Sequence, residues 1–227
     1  MNWLYTLAKE EIETLPQAVQ NYIEYTGVIG KEKVKRADIR QTGNFKVNGK
    51  WTRFKAKQSF DFLNKSFVWK AGIGSVKVTD QYQDNKGLLK VKLFGLIPLM
   101  KIVGEEVDQG EVLRLLSEMI WFPSALLSDY IEWEEIDKNT SRATITYGEK
   151  KASADFSFED DGKLVSVKAK RYMESKGSFT LEDWEVNSFE YKEFDTGLLP
   201  YKGNVCWHLK DGLDCYCKIQ VTEIEIL

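Results

Sequence analysis

Cys206, His208, Cys215 and Cys217 are the residues of this 227-residue chain whose types best suit a metal ion. Three thiols and one imidazole make a good zinc set. If Asp211-Gly212 forms a two-residue hairpin turn, His208 lies opposite Cys215, Cys206 lies opposite Cys217, and all four share one face. Against a metal, zinc sites use tight knuckles, whereas a flat hairpin face spaces its side chains about 5 Å apart. Buried free cysteines also behave as small hydrophobes. Core packing is therefore the reading adopted, with zinc and a cross-strand Cys206–Cys217 bridge as the alternatives.

A second set of residues interrupts apolar rows. Gln58 breaks the row Phe54, Ala56, Phe60, Phe62; Asp80 breaks Val76, Val78, Tyr82; Arg171 extends Val165, Val167, Ala169. Buried polar groups need partners. Either these rows leave the core near a strand end, or the residues satisfy one another, or they point into a cavity and orient a ligand headgroup. On the last reading the cavity is lined by Phe54, Gln58, Phe60, Trp69, Val78, Asp80, Tyr82, Trp121, Phe122 and Arg171.

Other chemistry finds little support. His208 is the single histidine, where a zincin helix needs two, and no G-x-S-x-G or Walker loop occurs. Gly72-Ile73-Gly74 begins like a dinucleotide loop, but Lys77 stands in place of the third glycine. Glu132, Glu134 and Glu135 flank Trp133 and read as a charged outer face. No catalytic residue and no cofactor is assigned. A net charge of −3 argues against a duplex-binding surface. No run reaches the roughly 18 apolar residues of a membrane span. The stretch Met1–Glu13 lacks a basic start and a long apolar segment, and an odd count of three cysteines argues against a disulfide framework. The expected location is cytoplasmic if the sequence is whole, and exported or membrane-anchored if an N-terminal segment has been removed.

These residues must be held by elements that the patterning suggests. Leu15-Pro16 open a helix over 15–28, with Val19, Tyr22 and Ile23 on one face and Gly27 and Gly30 at its end. The period then becomes two. Val34 to Val47 and Trp51 to Phe62 read as strands joined at Asn48-Gly49. Phe67–Ala71, the row from Val76 to Tyr82, and Leu89 to Leu93 continue the meander, with a turn at Asn85-Lys86-Gly87. A helical insert over 108–130 follows. Asp108 and Glu111 have the spacing of a capping box, Val112, Leu115, Leu116, Met119 and Ile120 form its apolar stripe, and Arg114 and Glu118 occupy the opposite side. Strands then resume: Ile131–Ile136, Ala143–Tyr147, Ala152–Phe158, Leu164–Arg171, Ser178–Trp184, Ser188–Phe194, Val205–Leu209 and Tyr216–Ile226.

Trp51-x-x-Phe54-x-Ala56-x-Gln58, Trp121-Phe122-Pro123 and Trp207-His208-Leu209 resemble, in this order, a bacterial family of unknown function. The resemblance runs from about Leu15 onward and implies no activity; His208 matches its pattern and the three cysteines do not. The layout is also similar to the lipoprotein-carrier class, whose curled antiparallel sheet implies a half-barrel that binds acyl chains.

The expected fold is therefore mainly β with some helix, a single domain over 1–227. A long antiparallel sheet of more than ten strands curls into a half-barrel or barrel, covered by the N-terminal helix and the central insert. The expected function is non-catalytic binding of an apolar or amphipathic, lipid-like small molecule in the concave face. A structural or protein-interaction module with a solid core is the alternative, and a hydrolase-type enzyme using His208 the third. No nucleic acid partner is expected.

Overall fold

The computed structural model describes residues 6–227, so part of the Met1–Glu13 stretch considered above lies outside the described residues. Thirteen strands form one antiparallel sheet. The first six are β1 (Arg36–Val47), β2 (Lys50–Asp61), β3 (Ser66–Ile73), β4 (Val76–Gln83), β5 (Lys86–Leu93) and β6 (Ile97–Ile102). The other seven are β7 (Ile131–Asp137), β8 (Thr140–Tyr147), β9 (Lys150–Phe158), β10 (Leu164–Ser175), β11 (Ser178–Phe194), β12 (Gly197–Leu209) and β13 (Gly212–Ile226). Their order across the sheet is β6-β5-β4-β3-β2-β1-β13-β12-β11-β10-β9-β8-β7. Each half is a meander, and the first and last strands meet in the middle. β6 and β7 are the two edges, so the sheet is a half-barrel.

Between those edges the chain runs through helix α2 (Glu105–Glu118). This topology drops α2 into the concavity, where it packs on β4 and β5 of one half and on β8, β9 and β10 of the other. The stripe Val112, Leu115, Leu116, Met119, Ile120 is buried, as its spacing requires. So are Leu113, Ser117 and Glu118, because the sheet wraps more than one face of the helix. Two 3-10 turns, Met119–Trp121 and Pro123–Leu127, lead on to β7. Helix α1 (Gln17–Tyr25) begins after Pro16 and buries Val19, Tyr22 and Ile23; the Tyr22 hydroxyl donates to the Ile120 carbonyl at 2.7 Å.

Several boundaries differ from the sequence expectation. α2 starts one turn earlier than the Asp108–Glu111 spacing suggests, with Gly104 as its N-cap. Asp108 does not cap the helix. Its carboxylate accepts from the Gly87 backbone N–H at 2.7 Å and pairs with Lys86 at 3.1 Å, tying α2 to β5. The β4–β5 turn uses Asp84 and Asn85, both at positive φ (51° and 59°), rather than Asn85-Lys86-Gly87. Asp and Asn tolerate that region, and a two-residue hairpin of the favoured twist needs two such residues. β6 escaped the sequence reading because Gly95, Pro98 and an unalternating apolar run hide its period. The two segments Ser178–Trp184 and Ser188–Phe194 are one strand, β11, with Ser188 at φ 59° in an irregularity.

Gly87 stands where α2 comes closest to the sheet: a Cβ there lies 2.7 Å from the Val107 carbonyl oxygen. Gly87→Ala must push α2 outward. The expected cost is about 1–3 kcal/mol, by the usual penalty of overpacking, read as a lower urea midpoint with an unchanged slope; an unshifted midpoint shows that α2 is not held at this spacing.

Candidate functional site: a cavity with a buried ion cluster

Alternation along β1–β5 turns Phe45, Phe54, Trp69, Val78, Asp80 and Val91 toward the concave side, and α2 lies over them without filling the space. A cavity of about 340 Å³ remains. Its far wall comes from β10 to β13, through Arg171, Trp184, Val186, Val205, Tyr216, Cys217 and Ile219, and α2 contributes Glu111, Arg114, Ser117 and Glu118.

The wall is apolar except along the helix, where charges are gathered. Arg114 donates from Nη1 to Asp80 Oδ2 at 2.6 Å and from Nε to Glu118 Oε1 at 2.9 Å. Gln58 Nε2 donates to Glu118 Oε2 at 2.5 Å, and its carbonyl lies 3.4 Å from Arg114 Nη2. The guanidinium rests over the rings of Phe67 and Trp69, 5.0 Å from each centroid. Across the cavity Arg171 Nη2 reaches Glu111 Oε1 at 3.2 Å and lies over Trp184. The Tyr216 hydroxyl, 3.5 Å from Arg171 Nη1, accepts from Trp184 Nε1 at 3.1 Å. Gly110 leaves room for this: a Cβ there would stand 3.2 Å from Arg171 Nε.

Three carboxyls thus face two guanidiniums. Burial, and then Asp80, drives the Glu111 carboxyl up to about 8, more than Arg171 and Arg114 offset. Its proton leaves two charges of each sign and serves a second need. Asp80 Oδ1 and Glu111 Oε2 are buried with no N–H or hydroxyl in reach, and a proton between the two carboxyls satisfies both. Glu118 is also raised, chiefly by burial and to a lesser degree by Asp80, against the opposing pull of Arg114 and Gln58. Arg114 is raised despite burial, being surrounded by Glu118, Asp80 and Glu111. Burial pushes the Cys217 thiol up to about 12, so it lines the wall as a neutral apolar group.

The ten residues expected to line a cavity divide as follows. Phe54, Trp69, Val78, Asp80, Trp121 and Arg171 form its wall. Gln58 stands behind it in the ion cluster. Phe60 and Phe122 pack edge to face at 5.1 Å in the core, and Tyr82 is buried near the β4–β5 turn, its hydroxyl 3.4 Å from Asn85. Arg114 and Glu118 overturn the sequence reading: they face the sheet, not its opposite side. One signal pointed to this. Arg114 is the only basic residue between Lys101 and Lys138, so an inward Asp80 facing this helix had a single cation to pair with.

The cysteine–histidine reading is corrected by the register of β12 and β13. The turn falls on Lys210-Asp211, since Leu209 pairs with Gly212. His208 then faces Leu213, and Cys206 faces Cys215, to which it is joined by a disulfide. Tyr216 is an extra residue in a bulge, after which Val205 pairs with Cys217. The bulge turns both Tyr216 and Cys217 into the cavity and leaves Cys206, Cys215 and His208 on the convex side. The four residues do not share a face, two of the thiols are spent in the disulfide, and neither a metal set nor a Cys206–Cys217 bridge forms. His208 Nε2 instead meets the buried Glu185 carboxylate at 2.8 Å, away from the cavity.

A covered cavity in an antiparallel half-barrel defines the class of this molecule. The chain belongs to DUF6544, a family of unknown function whose model matches residues 5–219. Among solved structures it is similar to a DUF1329 family protein from Desulfovibrio piger, with a TM-score of 0.51 at 10% identity, covering 94% of each chain. It is also similar to a putative outer membrane lipoprotein-sorting protein domain from Vibrio parahaemolyticus, with a TM-score of 0.45 at 7% identity, covering 84% of this chain and 85% of that one. At such identities the likeness concerns the fold alone. No curated protein matches.

Because the folded state raises Glu111 from 4.5 to about 8, folding stability falls as pH climbs between those values, and Glu111 contributes no such slope below them. Glu111→Gln, a neutral copy of the protonated side chain, is expected to remove that fall. Urea midpoints followed across this window should diverge in favour of the variant at the alkaline end; parallel curves would show that Glu111 ionises freely in the fold.

Proposed function

We propose that this protein binds an apolar or amphipathic small molecule, lipid-like in character, in the cavity beneath α2, without chemical change to it. The observation that carries this reading is the cavity itself. Its volume of about 340 Å³ falls in the range of ligand sites. Its wall is otherwise aromatic and aliphatic, with the charged groups gathered around α2, where Asp80 and Arg171 reach the helix. Apolar walls receive a hydrocarbon body, and the ion cluster meets a polar headgroup at one end. The protein would need no cofactor for this.

We further propose that the chain works in an oxidising compartment rather than in the cytoplasm. The Cys206–Cys215 disulfide supports this, since such bonds persist where thiols are not kept reduced. No helix among the described residues is long and apolar enough to cross a membrane. Protein purified without reductant is expected to show the mass deficit of one disulfide and, once unfolded without reductant, a single alkylatable thiol, Cys217; three alkylatable thiols on unfolding without reductant would return it to a reducing compartment.

Native mass spectrometry beside the denatured mass tests the binding reading. An excess of several hundred daltons, lost on denaturation, supports it. Val205→Trp, which grows into the cavity from its far wall, should weaken uptake of a fluorescent fatty-acid analogue about tenfold or more. Equal native and denatured masses, together with no uptake of the probe by the unsubstituted protein, overturn the reading in favour of a solid interaction module.

A further inference from the structure

The two edges of the sheet differ in chemistry. β7 carries Glu132, Glu134, Glu135 and Asp137, charges of the kind that keep an edge from pairing with another chain. β6 and the turn before it carry apolar residues instead: Leu96 is 80% exposed, Phe94 70%, Ile97 56% and Leu99 55%. Pro98 lacks an N–H, and the β5–β6 register shifts between Val91 and Lys92. A proline and a bulge block strand addition at this edge, yet its side chains are left apolar and open. The occupant that suits such an edge is not a β-strand.

Charge narrows the choice. From Lys86 to Gly104 the chain holds four lysines and no acidic residue. Register then stacks lysines side by side on the convex face. Lys90 pairs with Lys101, Lys77 with Lys92, and Lys57 with Lys70. Like charges directly opposite one another are unfavourable unless something screens them. Lys57 has Asp38, at 2.6 Å. Lys55, Lys70, Lys77, Lys90, Lys92 and Lys101 have no carboxylate partner among the described residues. In a chain whose net charge is −3, the convex face of β2 to β6 thus carries a run of lysines, with acidic residues on this half of the face confined to its β1 side, at Asp38 and Asp61.

We infer that the β5–β6 hairpin and the adjoining lysine face dock on an anionic lipid bilayer. The apolar tip enters the boundary between headgroups and acyl chains, and the lysines meet the headgroups beside it. A nucleic acid would satisfy the lysines and leave the apolar tip in water; a neutral protein surface would cover the tip and leave the lysines repelling one another. The inner face of the same hairpin continues the cavity. Leu89 and Val91 line the cavity, and their cross-strand partners are Ile102 and Met100, so an apolar track runs from the bilayer edge to the space beneath α2. The docking surface stands on its own residues and does not require the cavity to be occupied.

Flotation with phosphatidylcholine vesicles, and with vesicles of phosphatidylcholine and phosphatidylglycerol in equal parts, tests this. The protein is expected to float with the anionic vesicles and to bind the neutral ones about tenfold or more weakly. Binding should fall in high salt, as screening requires. Lys90→Gln with Lys101→Gln should weaken it severalfold without loss of melting temperature, since the substitutions remove a repulsion. Leu96→Asp should weaken it as well, and as an exposed residue of a turn it too leaves the fold intact. Flotation with neither vesicle overturns the inference, as does binding that both variants leave unchanged. Tighter binding of duplex DNA than of anionic vesicles through Lys90 and Lys101, or a dimer that Leu96→Asp dissociates, overturns it equally. Uptake of the fatty-acid probe, measured on the same samples, separates this result from the cavity reading: uptake without flotation removes the docking surface alone, and flotation without uptake removes only the ligand.

Discussion

A guanidinium buried beneath a sheet must be enclosed by acceptors, and Arg114 is enclosed by groups from three elements. Asp80 comes from β4, Gln58 from β2, and Glu118 from the next turn of its own helix. Removing Asp80 or Glu118 takes a carboxylate from a buried cation, at several kcal/mol by the usual cost of such breaks, and removing Gln58 takes a hydrogen bond from Glu118. Geometry follows from this. α2 cannot slide along the sheet or rotate on its axis without parting Arg114 from two strands at once. Hydrophobic contact alone, being without direction, would permit both movements. The stripe on α2 presses the helix into the concavity; the ion cluster fixes where it stops.

The cavity follows from that stop. The helix carries polar residues on the side that meets β2 and β4, and long charged side chains hold the backbone off the sheet where leucines would have closed the gap. On the other side Arg171 and Glu111 do the same, with Gly110 allowing the guanidinium to lie against the helix. Both pairs brace the helix at a distance. One proton too many or too few would leave a net charge inside this brace, and Glu111, driven up by its burial and by the facing Asp80 more than its two cations offset, is the carboxyl set to hold it.

Much of this was legible in the sequence. Alternation gave β1 to β4 to within two residues at each end and the second half of β5, and Gln58, Asp80 and Arg171 stood out as polar residues on apolar rows. What stayed hidden depended on pairings that no local pattern encodes. A helix with Arg114 and Glu118 at i, i+4 looks the same whether that pair faces water or a buried Asp80. The position of the β12–β13 turn decides which cysteines meet, and sliding it by one residue from Asp211-Gly212 to Lys210-Asp211 changes every partner. The bulge at Tyr216 then reverses the facing of Cys217 relative to Cys215. β6 was missed for a related reason: a strand exposed on both faces has no buried side to impose a period of two.

Topology explains why the two edges could diverge. Since β1 and β13 meet at the centre, both termini of the sheet's path are interior, and the edges β6 and β7 are neighbours in sequence, separated by α2 and the turns after it. The segment that spans them enters and leaves the concavity, so one edge stands where the chain goes in and the other where it comes out. An acidic β7 is protected by charge alone and needs no cover. β6 is protected by Pro98 and a bulge, devices that prevent pairing while leaving the side chains free to be apolar. Negative charge on β6 would have blocked aggregation equally well, and would have closed the apolar track from the cavity to the surface. The chain keeps that track open at the one edge whose outer face is basic.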